Sequence, residues 1–291
     1  MKHTIKTILL CSDGSAFSEG IYRYGAWFAR RFQSTAKVLF VTDIRQKVVS
    51  TGNLSGSLGL GASEQLMNEL VNLEYEKAKL SKKRARLILQ NADQILKEEG
   101  VSDVELLNPT GFLVDCFRDF EADADMVVLG KRGEAAEFAS DHLGANIERI
   151  VRSSSKPCLV TPQTFVPVER ILIAYDGSPT AKRIINFLTD NAEGFKDSDL
   201  HVITVAKSAS DEGPSQALAK VQERLQQNGF ATTTSLASGE PEKAIAQYIK
   251  QHQINLLLMG AYGHSRIRRL IIGSTSIQML RSSSIAVLLF R

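Results

Sequence analysis

Apolar residues fall along this chain in two alternating textures, short continuous runs and stretches where they recur every three or four positions. In the C-terminal half the runs are ILIAY (171–175), HVITVA (201–206), INLLLMG (254–260) and SIAVLLF (284–290), with the threonine-rich, strand-length TTTSL (232–236) among them. Between them lie KRIINFLTDN (182–191), SQALAKVQERLQQNGF (215–230) and PEKAIAQYIKQH (241–252), whose apolar positions follow a helical period. Strand and helix therefore alternate. Runs apolar on both faces and separated by helices predict a parallel sheet covered on both sides, with right-handed crossovers. Local signals agree: Ser178 suits an N-cap with Pro179 at the first helical position, Gly229 suits a helix end, and Pro241 opens another helix. The pattern predicts a doubly wound α/β sandwich.

The pattern also occurs twice. TILLCSDGSAFSE (Thr7–Glu19) and RILIAYDGSPTAK (Arg170–Lys182) both place Asp-Gly-Ser directly after an apolar run. DMVVLGKRG (Asp125–Gly133) is answered by NLLLMGAYG (Asn255–Gly263), and KPCLVTP (Lys156–Pro162) by SIAVLLF. QTFVPVE (163–169) reads as a short linker, so the expected domains are 1–163 and 164–291. Each half ends in an apolar strand. Pairing of the two terminal strands would satisfy both open edges and join the halves as a pseudo-twofold pair.

Composition narrows the function classes. With 43% hydrophobic and 23% charged residues in 291, the chain can bury substantial cores. A net charge of +3, spread through the chain, argues for neither nucleic-acid nor membrane binding. The opening MKHTIKTILLCSDGS has too few apolar residues for a signal-peptide core, and no run approaches the roughly 18 residues of a membrane span. A cytoplasmic location is expected. Cys11, Cys116 and Cys158 lie far apart in apolar contexts and are expected to be buried, reduced thiols. His142 and His264 have no companion ligands at metal spacing. No protein metal site is expected.

In doubly wound folds, ligands sit at the carboxyl ends of the strands where strand order reverses. Asp176 follows the first strand of its half and Gly260 the fourth, so both should border one crevice. From Gly260 the sequence runs GAYGHSRIRRLIIGSTS: Gly-x-x-Gly, nine residues, then Gly273, Ser274, Thr275 and Ser276 ahead of a helical pattern. Glycines allow close backbone approach, and free N–H groups at a helix N-terminus with hydroxyls beside them suit phosphate. A carboxylate at the other end of the crevice can accept a hydrogen bond from a ribose hydroxyl or an adenine amino group.

Gly260, Gly263, Gly273 and Ser274, set against the twofold repeat of the whole chain, resemble the ATP-binding motif of the universal stress protein family. The chain looks like a tandem member. The resemblance implies two sandwiches, each with a five-stranded parallel sheet in the order 3-2-1-4-5, paired as single-domain relatives pair in their dimers. It implies ATP or another adenine nucleotide as ligand, with or without Mg. The implied site is Ala174, Asp176, Val205, Met259, Gly260, Gly263, Gly273, Ser274, Thr275 and Ser276. Asp176 would contact the adenosine part, and the end of the second strand at Val205 would offer backbone groups to adenine. The Gly239-Glu240-Pro241 turn also resembles the family.

The first half departs from this motif. Gly130 and Gly133 are present, but ten residues precede Gly144, and Ala145 stands where a hydroxyl is wanted. Its loop carries Glu134, Glu137 and Asp141 where the other carries Arg266, Arg268 and Arg269, and like charges repel phosphate. Asp13, Val41, Gly130, Gly133 and Gly144 are therefore expected to form at most a remnant site.

The first half is also longer, by 33 positions between its Asp and its first motif glycine. The excess holds VSTGNLSGSLGLGASE (Val49–Glu64), read as a mobile loop, followed by a long helical pattern through about Lys97. Val49–Lys97 is expected to be a lid or adaptor surface outside the core. GLGASE lacks the third glycine of a dinucleotide fingerprint and follows no strand directly.

No GxxxxGK[ST] loop, no Ser-Gly-Gly-x-Asp-Ser pyrophosphatase loop and no evident pair of nucleophile and base are present. A nucleotide-binding regulatory module ranks first. A slow ATP hydrolase using the same site and a nucleotide-independent scaffold are the alternatives. The expected partners are a nucleotide and an unidentified protein, with the chain acting alone or as a homodimer.

Overall fold

A computed structural model of the chain describes residues 4–43, 60–133, 145–206, 212–261 and 274–291. The first half runs β1 (Thr7–Cys11), α1 (Ser18–Phe32), β2 (Thr35–Leu39), β3 (Thr42–Asp43), α2 (Leu60–Glu98), β4 (Val104–Leu107), β5 (Thr110–Gly111), α3 (Leu113–Glu121), β6 (Met126–Gly130), α4 (Ala145–Ser153) and β7 (Cys158–Thr161). The second runs β8 (Arg170–Ala174), α5 (Pro179–Asp190), α6 (Ala192–Phe195), β9 (Asp199–Ala206), α7 (Glu212–Gln227), β10 (Thr232–Ser238), α8 (Pro241–Gln251), β11 (Leu256–Gly260), α9 (Ser274–Ser282) and β12 (Ala286–Phe290).

The local signals act where the sequence places them. Ser178 caps α5, accepting from the Ala181 amide at 3.1 Å, with Pro179 behind it. Gly229, at φ +85°, turns the chain after α7, and its Cβ-free backbone makes that left-handed conformation cheap. β8, apolar after Arg170, and β11 become inner strands of their half.

Among the described residues one ten-stranded sheet runs β10-β9-β8-β11-β12-β7-β6-β1-β2-β4. Each half contributes five parallel strands in the order 3-2-1-4-5. The halves join through β12 and β7, which pair antiparallel with Val287 opposite Val160 and Leu289 opposite Cys158. β7 and β12 thereby lose their open edges. One layer of helices, including α1, α5, α7 and the end of α2, covers one face, while α3, α4, α8 and α9 cover the other.

The seam is reinforced on both faces. On the first, Phe195 of α6 is fully buried among Trp27, Phe28 and Phe32 of α1 and Phe187 of α5, with centroid separations of 5.3–6.3 Å. Arg31 lies over the Trp27 ring at 4.5 Å and donates to the Gly194 carbonyl at 3.1 Å. On the second face, Lys131 Nζ, just after β6, donates to the carbonyls of Arg281 and Ser283 at the end of α9, at 2.6 and 2.7 Å. Arg291 does the reverse, donating to the carbonyls of Arg152 and Ser154 at the end of α4. Each cation meets the negative end of the other half's helix. The linker packs too: Phe165 lies edge-on to Tyr24 at 4.8 Å, and the Val166 amide donates to the Tyr24 hydroxyl.

Two expectations for the insertion need correction. Leu60 to Glu64, read as loop, already lie in α2, because a single Gly61 is tolerated in a helix of 39 residues. The segment is also not wholly outside the core: Ala85, Leu89, Ala92 and Leu96 are buried with the α1 face. This end of α2 takes the place that α7 has in the second half. What is extra is the N-terminal part of the helix; the preceding Gly/Ser-rich residues to 59 lie outside the described residues.

His201 gives the fold a pH dependence. Its Nδ1 lies 3.0 Å from the Tyr248 hydroxyl, and His252 stacks on Tyr248 at 4.1 Å. Burial, reinforced by neighbouring His252 and Arg170 and opposed by Asp199, holds the imidazole below its ordinary value. The unfolded chain then binds a proton near pH 6.5 that the folded chain does not, so stability falls as pH drops through that value. In urea titrations at pH 8 and pH 5.5, His201→Gln should lose less stability than the wild type; equal losses would contradict this origin.

Candidate functional site

The carboxyl ends of β9, β8 and β11 lie side by side, and the crossovers from β8 diverge to opposite sides there. After β8 the chain turns on Asp176, whose Oδ1 accepts from the Ser178 amide at 3.0 Å, and on Gly177 at φ +75°. This carboxylate-to-amide turn holds the Asp176 side chain at the sheet edge. Ala174, Val205 and Ala237 are half-buried on the α8–α9 face, packed against the core that contains Met259. Val205 pairs with Ala237, and Leu258 with Ile173, which sets Met259 next to Ala174 across the strands. Small and aliphatic side chains thus form a flat apolar floor.

α9 begins above this floor. Ser276 is buried, and its hydroxyl donates to the Gly260 carbonyl at 2.8 Å, tying the first turn of the helix to the end of β11. Its proton is committed to that bond. Thr275 Oγ1 lies 3.5 Å from Glu242 Oε2 in the first turn of α8. Glu242 was not among the residues anticipated; nothing marked it beyond its place after Pro241. The turn leading into α8 passes through Gly239 at φ +107°, where a Cβ would meet nothing within 4 Å. Asp176, Ala174, Val205, Met259, Gly260, Thr275 and Ser276 are therefore gathered at one edge of the second half. Gly263 and Gly273, with Arg266, Arg268, Arg269 and His264, lie outside the described residues, as does the side chain of Ser274.

The first half repeats the turn and closes over it. Asp13 Oδ1 accepts from the Ser15 amide at 3.0 Å, and Gly14 also sits at φ +75°. A Cβ on Gly133 would stand 2.5 Å from Asp13 Oδ2, so the carboxylate occupies the space against that glycine. A Cβ on Gly130 would stand 3.0 Å from Phe17 Cβ. Val41 packs against the α3–α4 core, beside Cys11 in the place of Ala174. Burial pushes the Cys11 thiol far up, and that of Cys158 to about 12, so both are protonated and inert at neutral pH. Gly144, Glu134, Glu137, Asp141 and His142 lie outside the described residues.

A cavity of about 420 Å³ opens beside Tyr175 and Gly177, on the opposite α5–α7 side, with Lys182, Lys220 and Arg224 in its wall. Its counterpart is filled: Ile88 of α2 lies where a Cβ on Gly14 would stand. Lys131 escaped the sequence reading, although it follows a motif glycine. Burial lowers its ammonium to about 8. Through it the first half grips the C-terminus of the helix whose N-terminus borders the candidate site.

Among the described residues no three His, Cys, Asp or Glu side chains gather as metal ligands, and no helix is long and apolar enough to cross a membrane.

The sequence model of the universal stress protein family matches residues 4–162 and again 167–291. The chain is 49% identical over 288 residues to universal stress protein Slr1230 of Synechocystis sp., covering 99% of this chain and all of that one. Its fold is similar to the crystal structure of a universal stress protein from Archaeoglobus fulgidus, with a TM-score of 0.76 at 22% identity over 98% of both chains. It is also similar to that of a functionally unknown protein from Pseudomonas aeruginosa, with a TM-score of 0.62 at 16% identity, covering 99% of this chain and 93% of that one.

Proposed function

Because the chain belongs to the universal stress protein family, we propose that its second domain, residues 164–291, binds an adenine nucleotide, ATP before others, and that its first domain, residues 1–163, does not bind one with comparable strength. The reading is carried by the edge of the second domain, where the N-terminus of α9 is clipped to the end of β11 across from the Asp176 turn. The residues fit such a ligand. Ala174, Val205 and Met259 offer a floor for a planar base, and the Val205 strand end offers peptide groups to its edge. The Asp176 carboxylate can accept from a ribose hydroxyl. Gly260 and Gly263 let the backbone turn close to a ligand, while Gly273, Ser274 and Thr275 present amides and hydroxyls at the positive end of α9. Arg266, Arg268 and Arg269 add positive charge to that loop. Mg, where it accompanies the nucleotide, would be held through the phosphates.

Among the described residues no nucleophile and base stand together, and we read the protein as a regulatory module of stress response, in the cytoplasm. Lys131 supplies a route by which occupancy reaches the first domain: it holds the far end of the helix that meets the phosphates.

Mass spectrometry of small molecules released on denaturing freshly purified protein should find an adenine nucleotide. Asp176→Ala should weaken ATP binding about tenfold, the worth of one hydrogen bond to a charged acceptor, with the melting temperature nearly unchanged. Protein that carries no nucleotide and binds none in titration would overturn the proposal in favour of a scaffold. ATP turnover that disappears with Asp176→Ala would recast the site as that of a slow hydrolase.

A further inference from the structure

From Met67 to Arg84 no residue of α2 is buried, so the helix extends about 27 Å, at 1.5 Å per residue, beyond the part anchored in the core. This arm is not polar all round. Leu73 is 64% exposed, Leu80 64% and Leu87 56%, and Leu66 continues the same seven-residue spacing in the sequence. At 100° per residue these leucines lie about 150° around the helix from Ala85, Leu89, Ala92 and Leu96, which face the core. A second helix can therefore lie along the leucine stripe without displacing the first domain. Val71 and Tyr75, 59% and 69% exposed, lie on the other side of the helix, in line with the residues that face the core further along. A row of exposed leucines on a helix that projects from the core is an interaction site in waiting.

The charges identify the occupant. The midpoint of Leu66, Leu73, Leu80 and Leu87 falls between Glu76 and Lys77, and there the sign of the arm reverses. On the leucine side Glu69 and Glu76 precede it, and Lys77 and Lys83 follow. All are exposed. A parallel partner of the same sequence would set acid against acid and base against base. An antiparallel one sets each acidic half beside a basic half and brings Leu73 of one copy beside Leu80 of the other. The sequence is self-complementary about one twofold axis, as an isologous dimer requires.

We propose that the exposed arm of α2 is a homodimerisation element, which docks antiparallel on the same arm of a second copy of this chain. The edge strands β7 and β12 are already paired within the chain, so this arm supplies a different contact from the strand seam. Two chains would then be joined through their first domains, with both second domains turned outward.

Sedimentation velocity of the full chain in low salt should show reversible dimerisation with a dissociation constant on the order of 10 μM, weakening as salt screens the paired charges. Leu73→Glu with Leu80→Glu should leave a monomer with an unchanged melting temperature, since both side chains are exposed. Direction is read separately by oxidising mixed variants that each carry one added cysteine: Leu73→Cys should cross-link to Leu80→Cys more readily than either links to itself. A wild type that stays monomeric at about 100 μM, whether its leucines are bare, covered by its own chain or reserved for another protein, would overturn the proposal. Preferential self-linking of each variant would overturn the antiparallel arrangement. Neither readout depends on nucleotide.

Discussion

Phe195→Ala is expected to lower the folding stability of the whole chain by about 3–5 kcal/mol, the usual cost of emptying a fully buried aromatic site. Phe195 has no exposed surface and touches four rings, three of them in the other half of the chain. Collapse cannot close the gap. Phe32 already approaches the backbone of Gly194 as tightly as a missing Cβ permits, and Trp27 is fixed beneath Arg31. The loss should fall on the contact between halves as well as on the second core, so a single cooperative transition in urea should broaden or split. Phe230→Ala, in a buried position away from α1, is the control that should destabilise without splitting. A loss under about 1 kcal/mol for Phe195→Ala would mean that the seam does not depend on this cluster.

The second large effect is on ligand binding. Gly273→Val should reduce ATP affinity at least a hundredfold, because a branched side chain would stand where phosphate must approach the first amides of α9. The fold should tolerate it, since α9 remains held by Ser276 to Gly260 and by Lys131 at its other end. Circular dichroism and melting temperature within a few degrees of wild type, with binding lost in calorimetry, is the expected combination. Normal binding would remove the phosphate grip from the account.

The repeat was legible because β1 and β8 each run into Asp-Gly-Ser and β6 and β11 each run into a glycine motif, whereas the strand order came from the family resemblance and not from the pattern. Two-residue β3 and β5 were not legible, since Thr42–Asp43 and Thr110–Gly111 carry no periodicity. α6 was missed for a related reason. In NAEGFKDSD one large apolar residue stands among small and polar ones, and the worth of Phe195 arises only when α1 brings three rings against it. α2 shows the opposite failure: glycines in GLGASE suggested a loop, yet the amphipathic pattern beyond them carried the helix back to Leu60. In the candidate site, the Asp176 turn and Gly260 were readable from spacing. Glu242 and Lys131 were not, because their roles depend on which helix ends the fold brings to them.

The asymmetry between the two domains is tested most directly by titrating ligand-stripped full-length protein with ATP in a calorimeter. The account predicts one site per chain, lost in Gly273→Val and unaffected by Gly130→Ala or Gly133→Ala variants that remain folded. Two sites of equal affinity, or one that survives Gly273→Val and disappears with Asp13→Ala, would contradict it.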